Sequence, residues 1–471
     1  MLFSSFKFLF VFLPVVAVAY YLCARRVSAR MAQIVLIAAS FLFYAFARPA
    51  HAPLLLGSII ANYLFACGIA RIEGERRKTL LVAGLTFNVL FLASFKYLNL
   101  VLRHFLLLAV LGLHLPDWAF PLGISFFTLQ QIMYLVDVYE KLVPANDLIS
   151  HAAFVSFFAT VTSGPLTRAR QMVPQFKQVV TAHAPGVTQG ITLLAIGLFK
   201  KVVFADSFSR ISDAGFSHAG ALSALEAWVV SFSYTFQIYF DFSGYSDMAI
   251  GTALLMGFSV PINFNTPYRS LSIIEFWQRW HITLSQFITT YLYTPIIRSF
   301  RKATLTAGVT STLAAMTIVG IWHGPSLTFL LFGFLHGVAL AANLIWRKRI
   351  KIALPKALSW GLTMLFVNLA FIFFRSGNIA VALDVCHALV SPHGALSTGA
   401  LRESIRFSEV QVIFLPVLVG VPAAMIGRNS NELAYQPNSS LRMGLAVTAM
   451  LLLAFLFMNS TVAKEFVYFA F

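Results

Sequence analysis

Residues 304–346 read TLTAGVTSTLAAMTIVGIWHGPSLTFLLFGFLHGVALAANLIW, two long apolar runs that break at Gly324 and Pro325. Each run has about the 20 residues that an α-helix needs to cross a bilayer, so the stretch predicts two membrane spans. His323 lies at the break. A polar residue at membrane depth is costly and is a functional candidate for that reason. The alternative is a histidine at a helix end that bonds a backbone carbonyl.

The same apolar character extends over all 471 residues, of which 59% are hydrophobic and only 11% are charged. Soluble domains have about 45–50% apolar and about 25% charged residues, and the mean hydropathy here is +0.80. This composition excludes a disordered chain and an ordinary soluble enzyme. The formal net charge of +17 on so apolar a chain also argues against a nucleic-acid partner. We therefore predict a polytopic membrane protein.

Apolar runs recur along the whole chain, and about ten to twelve of them are predicted to be true spans. They cover residues 2–23, 31–46, 52–70, 79–95, 98–115, 120–138, 186–204, 222–240, 304–322, 326–346, 358–374, 409–426 and 442–459. No soluble insert of domain size interrupts them. Residues 1–471 are therefore predicted to form one membrane-embedded domain.

Clusters of basic residues predict the orientation of these spans, because Lys and Arg concentrate in cytoplasmic loops. The clusters at residues 25–30, 71–78, 200–201 and 347–356 are predicted to face the cytoplasm and to contact anionic membrane lipids. This orientation places both the N-terminus and the C-terminus outside the cytoplasm. It also predicts that the first run is a retained helix rather than a signal peptide.

One stretch, SIIEFWQRWHITLSQFITTYLY at residues 272–293, departs from the spanning pattern. At helical spacing its large apolar residues fall on one side and its polar residues on the other. The pattern predicts an amphipathic helix that lies at the membrane interface or lines a water-filled cavity. His281 would lie at the edge of its apolar arc.

A second polar break, YFDFSGYSD at residues 239–247, contains the carboxylates of Asp241 and Asp247 among hydroxyls and a glycine. They could bind a cation, pair with Arg269 or Arg279, or organise a site, and structural pairing is favoured. No nucleotide-binding, zinc-protease or serine-hydrolase spacing accompanies them. The chain has 3 widely separated cysteines, which indicate neither a disulfide framework nor a zinc site. We expect no metal and no bound cofactor.

The motifs around these residues resemble a known family. YFDFSGYSDMAIG, PINFNTPYRS, EFWQRWHITLS and the later WHG and HG pairs are similar to motifs of the membrane-bound O-acyltransferase superfamily. The resemblance is closest to the membrane subunits that acetylate secreted polysaccharides such as alginate or bacterial cellulose. FPLGISFFTLQQIMYLVDVY, SGPLTRARQMVPQF and LFKKVVFAD are further similar stretches, so the resemblance covers most of the chain.

The resemblance implies an all-α fold in which a ring of spans, with re-entrant or interfacial helices, surrounds a central funnel. It implies that His323 is the catalytic histidine and that His281 is the second histidine of the active site. The neighbouring polar residues are predicted to support this site: Asp241, Ser243, Tyr245, Asp247 and Arg279.

The sequence ends in FVYFAF, residues 466–471. This ending resembles the FxYxxF ending of the small partner peptide in the D-alanylation system of the same superfamily. The resemblance implies that the hydroxyl of Tyr468 carries the acyl group. The alternative is an aromatic belt at the end of a span, which is common in membrane proteins.

These features predict an O-acetyltransferase of the bacterial inner membrane that uses acetyl-CoA as its cytoplasmic donor. His323 would act as general base and His281 would orient groups or stabilise charge. The acetyl group would pass to an extracytoplasmic transferase that modifies an exopolysaccharide of the alginate or cellulose type. One alternative is transfer of D-alanyl or another acyl group. A polysaccharide or small-molecule transporter is an alternative from another class, but it would be expected to show repeated halves, which the sequence lacks.

Overall fold

The computed structural model describes residues 1–46, 48–98, 120–178, 184–391, 399, 401, 407–435, 441–460 and 466–467. Within these ranges the regular structure is helical, which confirms the predicted all-α class. The α-helices, numbered in chain order, are α1 (Leu13–Arg26), α2 (Ala29–Ala45), α3 (Ala52–Arg71), α4 (Glu75–Lys96), α5 (Ile124–Tyr139), α6 (Leu148–Ser156), α7 (Ala169–Lys177), α8 (Ala184–Phe199), α9 (Asp206–Ser217), α10 (Ala224–Leu255), α11 (Ile273–Arg279), α12 (Ile282–Phe287), α13 (Thr294–Ser299), α14 (Leu305–His323), α15 (Leu327–Ile345), α16 (Lys356–Arg375), α17 (Ile379–Val390), α18 (Phe407–Ile426), α19 (Ser430–Ala434) and α20 (Leu441–Ser460).

Seven helical segments among the described residues are long and apolar enough to cross a membrane. They are Phe8–Arg26, Pro49–Arg71, Glu75–Lys96, Leu305–His323, Leu327–Ile350, Lys356–Arg375 and Leu441–Asn459. Each of them coincides with a predicted apolar run, so the chain is a multi-pass membrane protein. Three shorter apolar helices accompany them: Ala29–Ala45, Ile379–Val390 and Ile413–Ile426. The predicted run at residues 98–115 lies, apart from its first residue, outside the described residues.

The chain divides into two compact units, and the first comprises Met1–Leu194 and Ser246–Pro261. Its core combines rings and buried amides. The rings of Phe12 and Phe43 lie 5.6 Å apart and both contact Phe158. The side-chain amides of Asn62 and Asn88 are buried and bond to each other, which satisfies polar groups that lipid could not.

The second unit comprises Ala195–Tyr245 and Ile262–Phe471 and contains both histidines. Its α14 and α15 form an antiparallel hairpin that turns at residues 324–326. The helices touch through glycines: a Cβ on Gly333 would lie 2.4 Å from the carbonyl oxygen of Met316 and 2.6 Å from the Cα of Gly320. Small residues allow helix backbones to approach this closely in membranes. This glycine seam fixes the end of α14, where His323 lies.

The amphipathic stretch at residues 272–293 is not one continuous helix, so that prediction was wrong. It forms α11 and α12, which are separated at Trp280 and His281. His281 has a left-handed backbone conformation with φ 42° and ψ 55°. A left-handed residue cannot continue a right-handed helix, so α11 ends before it and α12 starts after it. His281 therefore lies at the break and not on the face of a helix.

Candidate active site

His323 is the last residue of α14 and only 3% of its surface is exposed. Aromatic rings enclose its imidazole, with ring centroids 4.8 Å away at Trp322, 5.0 Å at Phe374, 5.9 Å at Phe332 and 6.2 Å at Phe329. Three of these rings come from α15 and α16, which pack against the end of α14. His323 is thus positioned by ring packing at the turn of the hairpin.

His281 is positioned by a polar loop. Residues 263–265 lie alongside residues 279–282, where the N–H of Asn265 donates to the carbonyl of Arg279 and the N–H of Ile282 donates to the carbonyl of Asn263, each at 2.9 Å. These two bonds stabilise the left-handed conformation of His281 between them. A non-glycine residue in that conformation is uncommon and persists where the surrounding structure determines it.

The side chain of Asn263 completes this loop. Its Oδ1 lies 3.1 Å from Nδ1 of His281, 3.2 Å from the backbone N of Thr283 and 2.9 Å from the hydroxyl of Thr283. The ring of Phe242 contacts the imidazole edge-on at 4.7 Å. His281 is fully enclosed, and this burial lowers the pKa of its imidazole from 6.5 to about 3, because desolvation penalises the charged form. The ring is therefore neutral at physiological pH.

A series of ring contacts connects the two histidines within the second unit. Phe374, which touches His323, lies 6.4 Å from Phe371, and Phe371 lies 5.3 Å from Trp280. Trp280 directly precedes His281 in the chain. The two histidines predicted to act together therefore belong to one aromatic cluster, although separate segments supply them.

Asp241 lies in a buried ion cluster with a partner that the sequence analysis did not anticipate. Nζ of Lys201 lies 2.7 Å from Asp241 and 3.1 Å from Asp206, and all three side chains are at most 9% exposed. The expected partners are engaged elsewhere: Arg269 donates to backbone carbonyls, and Arg279 pairs with its helix neighbour Glu275 at 2.8 Å. Structural pairing of Asp241 is correct, but pairing with an arginine was wrong.

Gly244 allows Lys201 to reach Asp241. A Cβ on Gly244 would lie 2.7 Å from the carbonyl oxygen of Gly197 and 3.1 Å from the backbone N of Lys201, so α10 and α8 are in backbone contact at this glycine. Lys201 is consequently buried. The prediction that residues 200–201 form a basic cluster facing the cytoplasm is wrong for Lys201, because its charge is neutralised inside the protein.

The segment before Tyr468 packs against this cluster. Phe466 is buried and stacks on Tyr245 with ring centroids 4.3 Å apart and an interplanar angle of 16°. It also lies 5.6 Å from Phe242, the ring that touches His281. The backbone N–H of Val467 donates to Oδ2 of Asp241 at 2.8 Å. Tyr468 itself lies outside the described residues.

The remaining predicted residues separate into different surroundings. Ser243 is buried beside Phe242 in α10. Asp247 is also buried, but the boundary between the two compact units falls after Tyr245, so Asp247 belongs to the first unit. Arg279 lies at the base of the His281 loop, where it contacts the hydroxyl of Thr266 at 3.3 Å. Over the described ranges, no three His, Cys, Asp or Glu side chains come together as metal ligands.

Two residues of the site escaped the sequence analysis, Lys201 and Asn263. Lys201 falls inside the apolar run at residues 186–204, where a lysine is costly unless an acidic residue pairs with it. Its position in the run therefore indicates a buried ion pair. Asn263 lies in the motif PINFNTPYRS, which was noted only for its resemblance. Its contact with His281 depends on tertiary structure, which no local pattern indicates.

The fold and the site define the class of the protein: a multi-pass, all-α membrane protein in which His281 and His323 are buried in one aromatic cluster, together with His336. A family model described as "MBOAT, membrane-bound O-acyltransferase family" matches residues 117–383, which include His281 and His323. The chain belongs to the membrane-bound O-acyltransferase family and is an O-acyltransferase.

Curated relatives align over most of the chain. A peptidoglycan O-acetyltransferase of Helicobacter pylori is 38% identical, over 86% of this chain and 83% of its own length. A probable alginate O-acetylase of Pseudomonas aeruginosa is 35% identical, over 83% of this chain and 75% of its own. A teichoic acid D-alanyltransferase of Bacillus subtilis is 26% identical, over 49% of this chain and 61% of its own.

Proposed function

We propose that the chain is an O-acetyltransferase of the bacterial inner membrane that takes acetyl groups from cytoplasmic acetyl-CoA and delivers them for O-acetylation of a polysaccharide outside the cytoplasm. The observation that carries the proposal is the aromatic cluster that joins His281 and His323 in a member of this family. The names of two relatives support acetyl transfer, one to peptidoglycan and one in alginate acetylation. An exopolysaccharide of the alginate or cellulose type remains the proposed polymer.

In the proposed reaction an acceptor hydroxyl attacks the thioester carbonyl of acetyl-CoA. His323 removes the hydroxyl proton as general base, while His281 orients a reacting group. The new ester O–C bond forms, the C–S bond breaks, and the proton passes from His323 to the departing thiolate. Histidine suits this work because its imidazole can accept and release a proton near neutral pH.

Tyr468 is the proposed first acceptor, so that the acetyl group is carried as a tyrosyl ester. Its two preceding residues support this role. Phe466 stacks on Tyr245, and the backbone N–H of Val467 donates a hydrogen bond to Asp241. The chain just before Tyr468 is therefore anchored next to Phe242, the ring that contacts His281. An extracytoplasmic transferase would then take the acetyl group from the ester and pass it to the polymer.

The basic clusters at residues 25–30, 71–78 and 347–356 support the proposed orientation, with the donor on the cytoplasmic side and both ends of the chain outside. Lys201 no longer contributes to this argument, because its charge is paired inside the protein. The remaining positive clusters would face the membrane surface that carries anionic lipids.

The test of donor and carrier uses the purified full chain in nanodiscs with radiolabelled acetyl-CoA. We expect label on the protein, which intact-mass and peptide analysis assign to the peptide containing Tyr468. Tyr468→Phe should lose that label and His323→Ala should not acquire it. Label that persists in Tyr468→Phe would overturn the carrier role, and a wild-type protein that never accepts acetyl would overturn the proposed function.

Transfer of D-alanine is a second candidate, because a D-alanyltransferase is among the relatives. A competition assay distinguishes the two: excess D-alanyl carrier protein should leave acetyl labelling unchanged if acetyl-CoA is the donor. A transporter is tested by measuring sugar flux into proteoliposomes without acyl donor. We expect no flux above that of empty liposomes.

A further inference from the structure

The three contacts of Asn263 determine the orientation of its side-chain amide. A backbone N–H can only donate a hydrogen bond. The backbone N of Thr283 lies 3.2 Å from the same side-chain atom of Asn263 that contacts His281. That atom must therefore be the amide oxygen and not the amide nitrogen. This assignment of the amide oxygen does not use His281. It can therefore be used to deduce which ring nitrogen of His281 carries the proton, a property that has to be inferred from the hydrogen-bond network.

An amide oxygen only accepts hydrogen bonds. Nδ1 of His281 lies 3.1 Å from it, so Nδ1 must carry the proton. A neutral imidazole has one N–H and one lone pair, which leaves the lone pair on Nε2. The lowered pKa of the buried ring agrees with a neutral form.

We propose that Asn263 is a positioning residue that fixes His281 in the Nδ1-protonated tautomer, so that Nε2 acts on the substrates as a hydrogen-bond acceptor. His281 then orients an O–H or N–H group of a substrate. While neutral, it cannot donate through Nε2 to the negatively charged oxygen of a tetrahedral intermediate. The tautomer itself follows from the contacts of Asn263, whereas its use in the reaction rests on the proposed function.

Among the described residues, the charged groups on the elements next to the His281 loop have ionic partners of their own. Asp241, which precedes Phe242 in α10, is paired with Lys201. Arg279, at the end of α11, is paired with Glu275. No charged residue occurs in residues 263–266 or in α12. A carboxylate placed at position 263 would therefore add a negative charge next to the imidazole of His281.

The first experiment reads the tautomer without any activity. Protein labelled with ¹⁵N in its histidine rings is studied in membranes by solid-state NMR, and the His281 signals are assigned by their loss in His281→Gln. Protonated and unprotonated ring nitrogens have well-separated shifts. We expect a protonated Nδ1 and an unprotonated Nε2. A protonated Nε2 would overturn the proposal.

The second experiment uses the pH dependence of acetyl transfer. Asn263→Asp keeps the acceptor oxygen but adds a negative charge, which favours the imidazolium. If His281 acts as an acceptor, the acid limb of the kcat profile should move to higher pH. If it acted as a cationic donor, its deprotonation would set the alkaline limb, and the raised pKa would move that limb to higher pH while the acid limb stayed in place. An acid limb that does not move therefore contradicts the proposal. Asn378→Asp, at the exposed N-cap of α17, is the matched control and should leave the profile unchanged.

Asn263→Leu removes the acceptor, and we expect a loss of about 10²-fold in kcat with little change in KM, because a histidine in the wrong tautomer cannot serve its partner. Thr283→Val deletes one donor to Asn263 but keeps the backbone N–H that orients the amide, so it should retain at least about a third of wild-type kcat.

Failure of the proposed function can be distinguished from failure of the tautomer assignment. A wild-type protein without acetyl transfer would refute the proposed function, whereas the NMR result would still stand.

Discussion

His323 and His281 are both buried in the same unit, yet different forces hold them. Rings from α14, α15 and α16 enclose His323, and a glycine seam fixes the helix that carries it. His281 depends instead on hydrogen bonds from a loop that includes Asn263. Ring packing fixes the place of an imidazole, whereas the hydrogen bond to Asn263 also fixes which nitrogen of His281 carries the proton. This difference fits the roles proposed above, in which His323 gains and loses a proton and His281 keeps one tautomer.

The largest effect is expected at His323, because the proposal gives it the proton transfer. His323→Ala should lower acetyl transfer by about 10²–10⁴-fold, the usual contribution of a general base. Initial rates with labelled acetyl-CoA measure this, at equal amounts of inserted protein. His218→Ala, which removes an exposed histidine of the same unit, should have no effect. Wild-type rates in His323→Ala would show that ring packing is the whole role of this residue.

The glycine seam provides a test of packing as the force that positions His323. Gly333→Ala would place a methyl group against backbone atoms of Met316 and Gly320, which cannot yield as a side chain can. We expect a loss of about 1–3 kcal/mol in unfolding free energy, together with reduced transfer. Thermal unfolding in detergent measures the first. Gly361→Ala is the matched control, since a Cβ there meets nothing within 4 Å. Equal behaviour of the two variants would contradict the role of the seam.

The pH dependence of stability tests the burial of His281. Its folded-state pKa of about 3 lies below the ordinary 6.5. Between these values the unfolded chain binds a proton that the folded chain excludes, so stability falls as the pH decreases through this window. At pH 5 the contribution is about 2 kcal/mol, from about 1.4 kcal/mol per pH unit. The unfolding midpoint of His281→Gln should therefore fall less than that of wild type between pH 7 and pH 5. Parallel curves would mean that His281 is protonated in the folded protein.

The smallest effect on stability is expected where the C-terminal segment meets the site. Phe466→Ala removes a ring that stacks on Tyr245, a contact worth about 0.5–1.5 kcal/mol beyond its buried area. Because the Phe466 ring anchors only the C-terminal segment, the unfolding midpoint of Phe466→Ala should stay near the wild-type value. Digestion of this segment by carboxypeptidase should become faster. Phe414→Ala, at a ring that is 63% exposed, should change neither. Unchanged digestion in Phe466→Ala would contradict anchoring.

The sequence was sufficient for the features that depend on local pattern. Hydropathy alone located the seven long spans, and the resemblance predicted a role for each of the two histidines. It was insufficient where distant segments decide the conformation. The helix at residues 272–293 looked continuous because its periodicity is good, but residues 263–265 bind its middle and impose the left-handed turn at His281. Lys201 looked like a cytoplasmic charge because the close approach at Gly244 has no signature in sequence.

The glycine seam also has a consequence for the order in which the site is assembled. The contacts of Gly320 and Gly333 lie within one helical hairpin, and contacts between residues close in sequence form early because little chain entropy is lost. The turn that carries His323 can thus take shape as soon as the hairpin enters the bilayer. His281 acquires its tautomer only when the Asn263 loop closes on it. In the proposed mechanism, catalytic competence during biogenesis therefore arrives with the second histidine, and a protein that is inserted but has not closed this loop is expected to be inactive.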